Sequence, residues 1–187
     1  MDKLEYKLEV FEGPLDLLLH LISKNKLNIS DIELSVIVDQ YIEHIRNMQQ
    51  SDMDIASEFL EMASRLIYLK TVSLLPKHDE AEKMKEELVE ELMEYERCRK
   101  IANRFFHPDE IDALDANTVS AFYNIWTAKE AYVKFTGQGI DRDFSEFCIF
   151  DLDEYLFQTE FERCSLSVCT PDFCEVEIID LYNRREK

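Results

Sequence analysis

"FEGPLDLLLHLISKN", Phe11 to Asn25, decides how this 187-residue chain starts to fold. Just before it, "KLEYKLEVF" (3–11) alternates apolar and polar residues as a short half-buried strand does. Glu12-Gly13-Pro14 breaks the alternation, because Gly13 permits an unusual φ and Pro14 suits a first helical position. The leucine-dense run that follows ends in polar residues. It predicts a short, mostly buried helix.

Outward from that helix the pattern stays helical for about a hundred residues. Asn28, Ser30 and Asp31 are cap candidates for a helix over about 31–48, with Ile32, Val36, Ile37, Tyr41 and Ile45 at helical spacing. A third helix is predicted over about 54–72. Ile55, Phe59, Met62, Leu66 and Leu69 form one stripe, and Ala56, Ala63 and Ile67 widen it. Pro76 disfavours helical geometry at Leu75 and ends it. Residues 77–100 are the most charged stretch, with Met84, Leu88, Leu92 and Tyr95 marking a narrow stripe on a long exposed helix that could also dock on a partner helix.

The character changes near residue 101. "RFFHPDEIDAL" brings aromatics, Pro108 and an acidic cap region. "VSAFYNIWTAKEAYVKFTG" reads as a helix with Phe122, Ile125, Trp126 and Val133 inward and Gly137 as its C-cap. "SEFCIF", "CSLSVC" and "EVEIIDL" read as short strands. The expected fold class is α+β. A mainly helical module over 1–100, with a short N-terminal strand, precedes a small α+β lobe with antiparallel strands over 101–187.

Charge narrows the function classes. The chain carries 40 acidic and 21 basic residues, a net −19, and both halves are acidic. Tight direct binding to nucleic acid needs clustered Lys and Arg, so it is not expected, and a basic partner surface is the natural complement. The composition shows no membrane-length apolar run and the N-terminus lacks a signal peptide's apolar core, so a cytoplasmic protein is expected. Five cysteines without a Cys-x-x-Cys read as free thiols; Cys164, Cys169 and Cys174 fit no common zinc spacing. His20, His44, His78 and His107 are scattered, none at metal spacing with a cysteine.

Phe11, Glu12, Gly13, Pro14, Leu15, Asp16, Leu17 and Leu18, with "ASEFLEMASRLIYLKTVSLLP" and "LVEELMEYERCRKIA", resemble the N-terminal domain of segregation and condensation protein A, the bacterial kleisin, over about residues 1–100. The resemblance implies a non-enzymatic, cofactor-free chromosome segregation and condensation subunit. Such a domain binds the head-proximal coiled-coil neck of an SMC ATPase and is nucleoid-associated through it. A second accessory subunit joins the same assembly. The third helix fits the first task, since one apolar face could pack the domain and another a coiled coil. Phe59, Met62, Leu66 and Leu69 are the candidate partner-binding residues, though sequence does not apportion them between the two faces. A kleisin's longer acidic middle and C-terminal winged helix are not recognised after residue 103, so ring closure is not expected.

"RFFHPDEIDAL", "FYNIWTAKEAYVKFTGQGI" and "CSLSVCTPDFCEVEIIDL" resemble the second half of a 4'-phosphopantetheinyl transferase over about residues 101–187. That alternative implies coenzyme A and Mg²⁺ as cofactors and a carrier-protein serine as acceptor. By resemblance Glu130 would ligate the metal and help activate the serine, Lys134 would assist at the phosphate, and Lys129 would lie near the nucleotide. The Asp-x-Glu motif that completes such a metal site belongs to the half that is missing. Asp31-Ile32-Glu33 has the letters, but stands at a helix start where acids suit the dipole. Glu130 and Lys134 are therefore expected to act as an exposed i,i+4 pair. Two modules meeting near residue 101 without a linker read as a fusion, with the kleisin role leading.

Overall fold

Leu17 and Leu18 sit on the first turns of a helix that Pro14 opens, and both are buried. A computed structural model describes residues 11–29, 34–50, 57–74, 79–114, 118–137, 143–161 and 164–177. Among them run six α-helices: α1 Pro14–Lys24, α2 Leu34–Gln50, α3 Ser57–Ser73, α4 Asp79–Phe105, α5 Pro108–Asp112 and α6 Thr118–Thr136. Two 3₁₀ turns and the strands β1 Tyr155–Phe161 and β2 Cys164–Thr170 follow. The fold is α+β, mostly helical with one small antiparallel sheet. It divides into two compact units, residues 1–100 with 114–119 and residues 101–113 with 120–187. The division falls inside α4, which is continuous through residue 101.

The first unit is a helical core. Leu17, Leu18, Leu21 and Ile22 of α1 meet Ile37, Val38, Tyr41 and Ile45 of α2, the inner face of α3, and Leu88 and Leu92 of α4. Each such side chain taken fully out of water contributes about 1.5–3 kcal/mol. Tyr41 is fully buried and its hydroxyl donates to the Phe59 carbonyl at 3.1 Å, which satisfies the one polar atom it carries inward. The α4 stripe expected from Met84, Leu88, Leu92 and Tyr95 extends to Ala81 and Cys98; Ala81, Met84, Leu88 and Leu92 face this core, and Tyr95 and Cys98 are buried further along the helix.

The Phe11–Leu18 signature resolves into separate structural tasks. Gly13 stands at φ −175, ordinary extended backbone, so the unusual φ expected of it is not there. Pro14 occupies the first turn, where its missing N–H costs nothing. Glu12 and Asp16 both take the Arg99 guanidinium, at 3.0 and 2.6 Å, and so tie the start of α1 to α4. The Phe11 ring stands edge-on to His20 and His44, at 5.2 and 5.1 Å, bridging α1 and α2. Leu15 is partly buried against the same core. At the other end of α1, Asn25 and Gln40 exchange two amide hydrogen bonds of 2.7 and 3.0 Å.

Other expectations need correction. Val36 is exposed; the inner stripe of α2 is Ile37, Val38, Tyr41, Ile45 and Met48. Ile67 does not widen the buried stripe of α3 but lies half exposed, one residue and about 100° round the helix from Leu66. "SEFCIF" is not a strand: residues 144–146 and 149–151 form 3₁₀ turns. β1, "YLFQTEF", was not foreseen; it pairs antiparallel with β2, Tyr155 opposite Thr170 and Phe161 opposite Cys164. Of "EVEIIDL", residues 175–177 are irregular and the rest lies outside the described residues, as do residues 3–10 of the strand expected over 3–11 and Asp31-Ile32-Glu33; Phe11 itself is irregular.

In the second unit α6 is the spine. Phe122, Ile125, Ala128 and Val133 are buried, and Trp126 partly so. Phe106 stacks on Phe122 at 5.3 Å and Phe122 on Trp126 at 5.8 Å, while Trp126 meets Phe144 at 5.5 Å. The sheet is held to α6 by hydroxyl and amide contacts: Ser120 donates to Glu160 at 2.7 Å, Thr127 and Ser167 share a hydroxyl contact of 2.8 Å, and the Gln158 amide donates to the Asn124 carbonyl at 2.8 Å. Gly137 closes α6 at φ 70, the left-handed conformation its C-cap role requires.

Candidate partner-binding face

The third helix carries apolar side chains on two faces, and among the described residues one of these faces packs internally. Phe59, Met62, Ala63, Leu66, Leu69 and Val72 face the core of the first unit. On the opposite side the positions 60, 64, 67, 71 and 74 alternate spacings of four and three, which keeps them in one line along the helix. Leu60 is 44% exposed, Ile67 50%, the adjacent Tyr68 50% and Leu74 80%. Ser64 and Thr71, between them, turn their hydroxyls back onto the carbonyls of Leu60 and Ile67 at 3.0 and 2.8 Å. Their polar atoms are thus partly spent on the helix itself, and the line is more apolar than its letters indicate.

Ion pairs fix how α3 is rolled. Arg65 reaches Glu91 of α4 with two hydrogen bonds, 2.7 and 3.0 Å, and Lys70 reaches Asp39 of α2 at 2.7 Å. These contacts flank the buried stripe and hold the second stripe outward. Tyr68 donates to Glu80 at 3.0 Å, a bond to a carboxylate that holds its hydroxyl above the usual tyrosine range. The four candidate residues Phe59, Met62, Leu66 and Leu69 therefore lie in the core, no more than 9% exposed, and of the outward residues stripe counting includes only Ile67, which it assigns to the inner stripe. The signal that finds them is the second four-and-three repeat, read on the opposite face.

The second unit answers for Lys129, Glu130 and Lys134. Lys129 is fully buried. Its ammonium meets the equally buried Glu110 carboxylate at 2.8 Å and donates to the carbonyls of Phe144 and Phe147, both at 2.6 Å. Three acceptors match its three N–H donors, which leaves none for a nucleotide phosphate. Glu130 accepts from Trp126 Nε1 at 2.9 Å and from Lys134 at 3.1 Å, in a partly exposed i,i+4 pair. Glu110, which carries no sequence-level suspicion beyond its place three residues after the His107 cap, is the carboxylate that organises this unit.

Glu110 also accounts for the missing strand at "SEFCIF". Its two oxygens accept from the backbone N–H of His107 and Ile149, both at 2.8 Å, while Lys129 takes up the Phe144 and Phe147 carbonyls. Side chains thus satisfy backbone groups that a strand would have used in a ladder. The segment turns instead of pairing.

The family model for "Segregation and condensation protein ScpA" matches residues 21–135, more than half of the chain, and the chain belongs to that family. The segregation and condensation protein A of Caldanaerobacter subterraneus subsp. tengcongensis is 48% identical over 122 residues, covering 57% of this chain and 49% of its own length. That of Thermoanaerobacter sp. strain X514 is 41% identical over 147 residues, covering 68% of this chain and 60% of its own length. The Listeria innocua protein is 44% identical over 111 residues, covering 54% and 45%. The chain spans about half the length of these relatives. The family match runs past the expected limit near residue 100 and takes in Trp126, Lys129, Glu130 and Lys134, the residues on which the transferase resemblance rested. No described helix is long and apolar enough to cross a membrane.

Proposed function

We propose that this chain is a non-enzymatic subunit of a chromosome segregation and condensation assembly, and that its first unit grips the coiled-coil neck of an SMC ATPase through the outer face of α3. The observation that carries the reading is the line Leu60, Ile67, Tyr68 and Leu74 on a helix whose other face is already filled. A coiled-coil neck is itself a pair of amphipathic helices, and a third helix laid along it buries apolar stripes from both sides. The family's name supplies the segregation and condensation role, and the Phe11–Leu18 signature supplies the SMC neck as partner. A second accessory protein belongs to the same proposal. The acidic balance of the chain suits a basic surface on a partner and disfavours direct contact with DNA.

Co-elution with a purified SMC head-and-neck fragment on size exclusion at moderate salt tests this. A stable joint peak is expected. Separate elution of a chain whose helical circular dichroism is intact contradicts the proposal. No transfer of phosphopantetheine is proposed, because Lys129 is sealed inside the second unit and Glu130 is engaged by Trp126 and Lys134.

A further inference from the structure

We infer that His107, Asp109 and Cys148 form a binding site for a borderline divalent transition metal, zinc by chemistry, within the second unit. The three residues supply an imidazole nitrogen, a carboxylate oxygen and a sulfur whose ligand atoms all lie within 4.8 Å of one another. They come from two segments about forty residues apart, which is why no spacing in the sequence announced them. Cys148 is buried, His107 half-buried and Asp109 exposed, so the sulfur sits at the floor and the open side lies over the carboxylate.

Two geometric facts make this more than a chance meeting. The His107 Nδ1 and Asp109 Oδ2 atoms are 3.3 Å apart. That is close to the edge of a tetrahedron drawn around an ion with ligand distances of about 2.0–2.3 Å. The same Nδ1 accepts from the Asp109 backbone N–H at a long 3.4 Å, so it cannot at the same time carry a proton toward the Asp109 carboxylate. A cation bound at Nδ1 would replace that long contact by taking up the same lone pair, with the Asp109 carboxylate as its neighbour.

The second fact is the support behind the ligands. Glu110 accepts from the N–H of His107 itself and from the N–H of Ile149, the residue after Cys148, at 2.8 Å each. One buried carboxylate, held in turn by Lys129, therefore sets the separation of the two segments that carry the nitrogen and the sulfur. Fixed backbone behind adjustable side chains is how outer contacts orient metal ligands. Nitrogen, sulfur and one carboxylate oxygen suit zinc better than magnesium or calcium, which take all-oxygen shells. Three protein ligands leave a fourth position for water or for a group from another molecule.

Cobalt(II) is the probe, because a thiolate bound to it gives a charge-transfer absorption. The full chain carrying Cys164→Ser, Cys169→Ser and Cys174→Ser silences the thiols outside the site except the fully buried Cys98, and is titrated under a non-thiol reductant. One equivalent of cobalt is expected to bind with the thiolate band, and one equivalent of zinc to displace it. Cys148→Ser is expected to abolish the band. Asp109→Asn, at an exposed position that the fold does not depend on, is expected to weaken binding at least about tenfold. Absence of the band, its persistence in Cys148→Ser, or an unchanged affinity in Asp109→Asn each overturns the site.

Discussion

The Lys129 ammonium lies 2.8 Å from the Glu110 carboxylate, and neither side chain has any exposed surface. The pair is fully hydrogen-bonded: two backbone N–H groups reach the carboxylate and two carbonyls accept from the ammonium. The Phe147 ring lies 4.1 Å below the ammonium. Satisfying every polar atom is what allows two charges to stay in a core without a net penalty of several kcal/mol. The same pair draws α5, α6 and the 144–149 segment to one point.

Breaking that pair from one side leaves a buried charge uncompensated. Lys129→Met is expected to destabilise the second unit by about 3–5 kcal/mol, and Glu110→Gln by a comparable amount. The double variant is expected to cost less than the two added together, with a coupling of about 0.5–3 kcal/mol. Thermal unfolding followed by circular dichroism of all four forms measures the cycle. Additive losses would show that the two residues act independently.

Leu66 and Ile67 are adjacent in sequence and opposite in role. Leu66→Ala empties a core position and is expected to cost about 2–5 kcal/mol. Ile67→Glu places a charge on the outer face, where surface substitutions stay within about 0.5 kcal/mol. Urea unfolding of both variants checks the contrast, and equal losses would mean that the roll of α3 is wrong.

Two residues just past helix ends share a left-handed conformation with opposite suitability. Lys26 adopts φ 55 with a side chain that conformation disfavours, and Gly137 adopts φ 70 without one. Lys26→Gly is expected to stabilise by about 1 kcal/mol and Gly137→Ala to destabilise by about 1 kcal/mol. A Cβ at Gly137 meets nothing within 4 Å, so its cost is backbone strain alone. Shifts in melting temperature of opposite sign are the expected result.

Burial in the first unit, reinforced by Glu94, pushes the Cys98 thiol from 9.0 up to about 11. A group raised on folding holds its proton longer in the native state. Its contribution is therefore intact below about pH 9 and is lost as pH climbs toward 11. Lysines and tyrosines titrate in the same range, so the readout is a difference. The stability of Cys98→Ala is expected to decline less steeply between pH 9 and 11 than that of the unaltered chain, as measured by urea midpoints. Parallel declines would show that the thiol is not stressed by its surroundings.

What was legible in the sequence was periodicity. The leucines after Pro14, the α4 stripe and the α6 interior all read correctly because a 3.6-residue repeat needs no partner to be seen. Which way α3 turned its two stripes was not legible, since both faces are apolar and the choice is made by Arg65 and Lys70 reaching other helices. The 144–149 segment has strand-like letters, yet its backbone groups are claimed by Glu110 and Lys129 from elsewhere in the chain. The reading of Lys129 failed for the same reason, whereas Glu130 and Lys134 form the i,i+4 pair expected of them. Their spacing matched one chemistry, while burial and partners gave Lys129 another.

The central claim is that the outer face of α3 meets a coiled-coil neck, and Ile67→Glu tests it most directly. The dissociation constant for an SMC head-and-neck fragment is measured by calorimetry for the unaltered chain and for the variant, after matched melting curves show both folded. The account predicts at least a tenfold weaker complex for Ile67→Glu. An unchanged dissociation constant would place the binding surface elsewhere and contradict it.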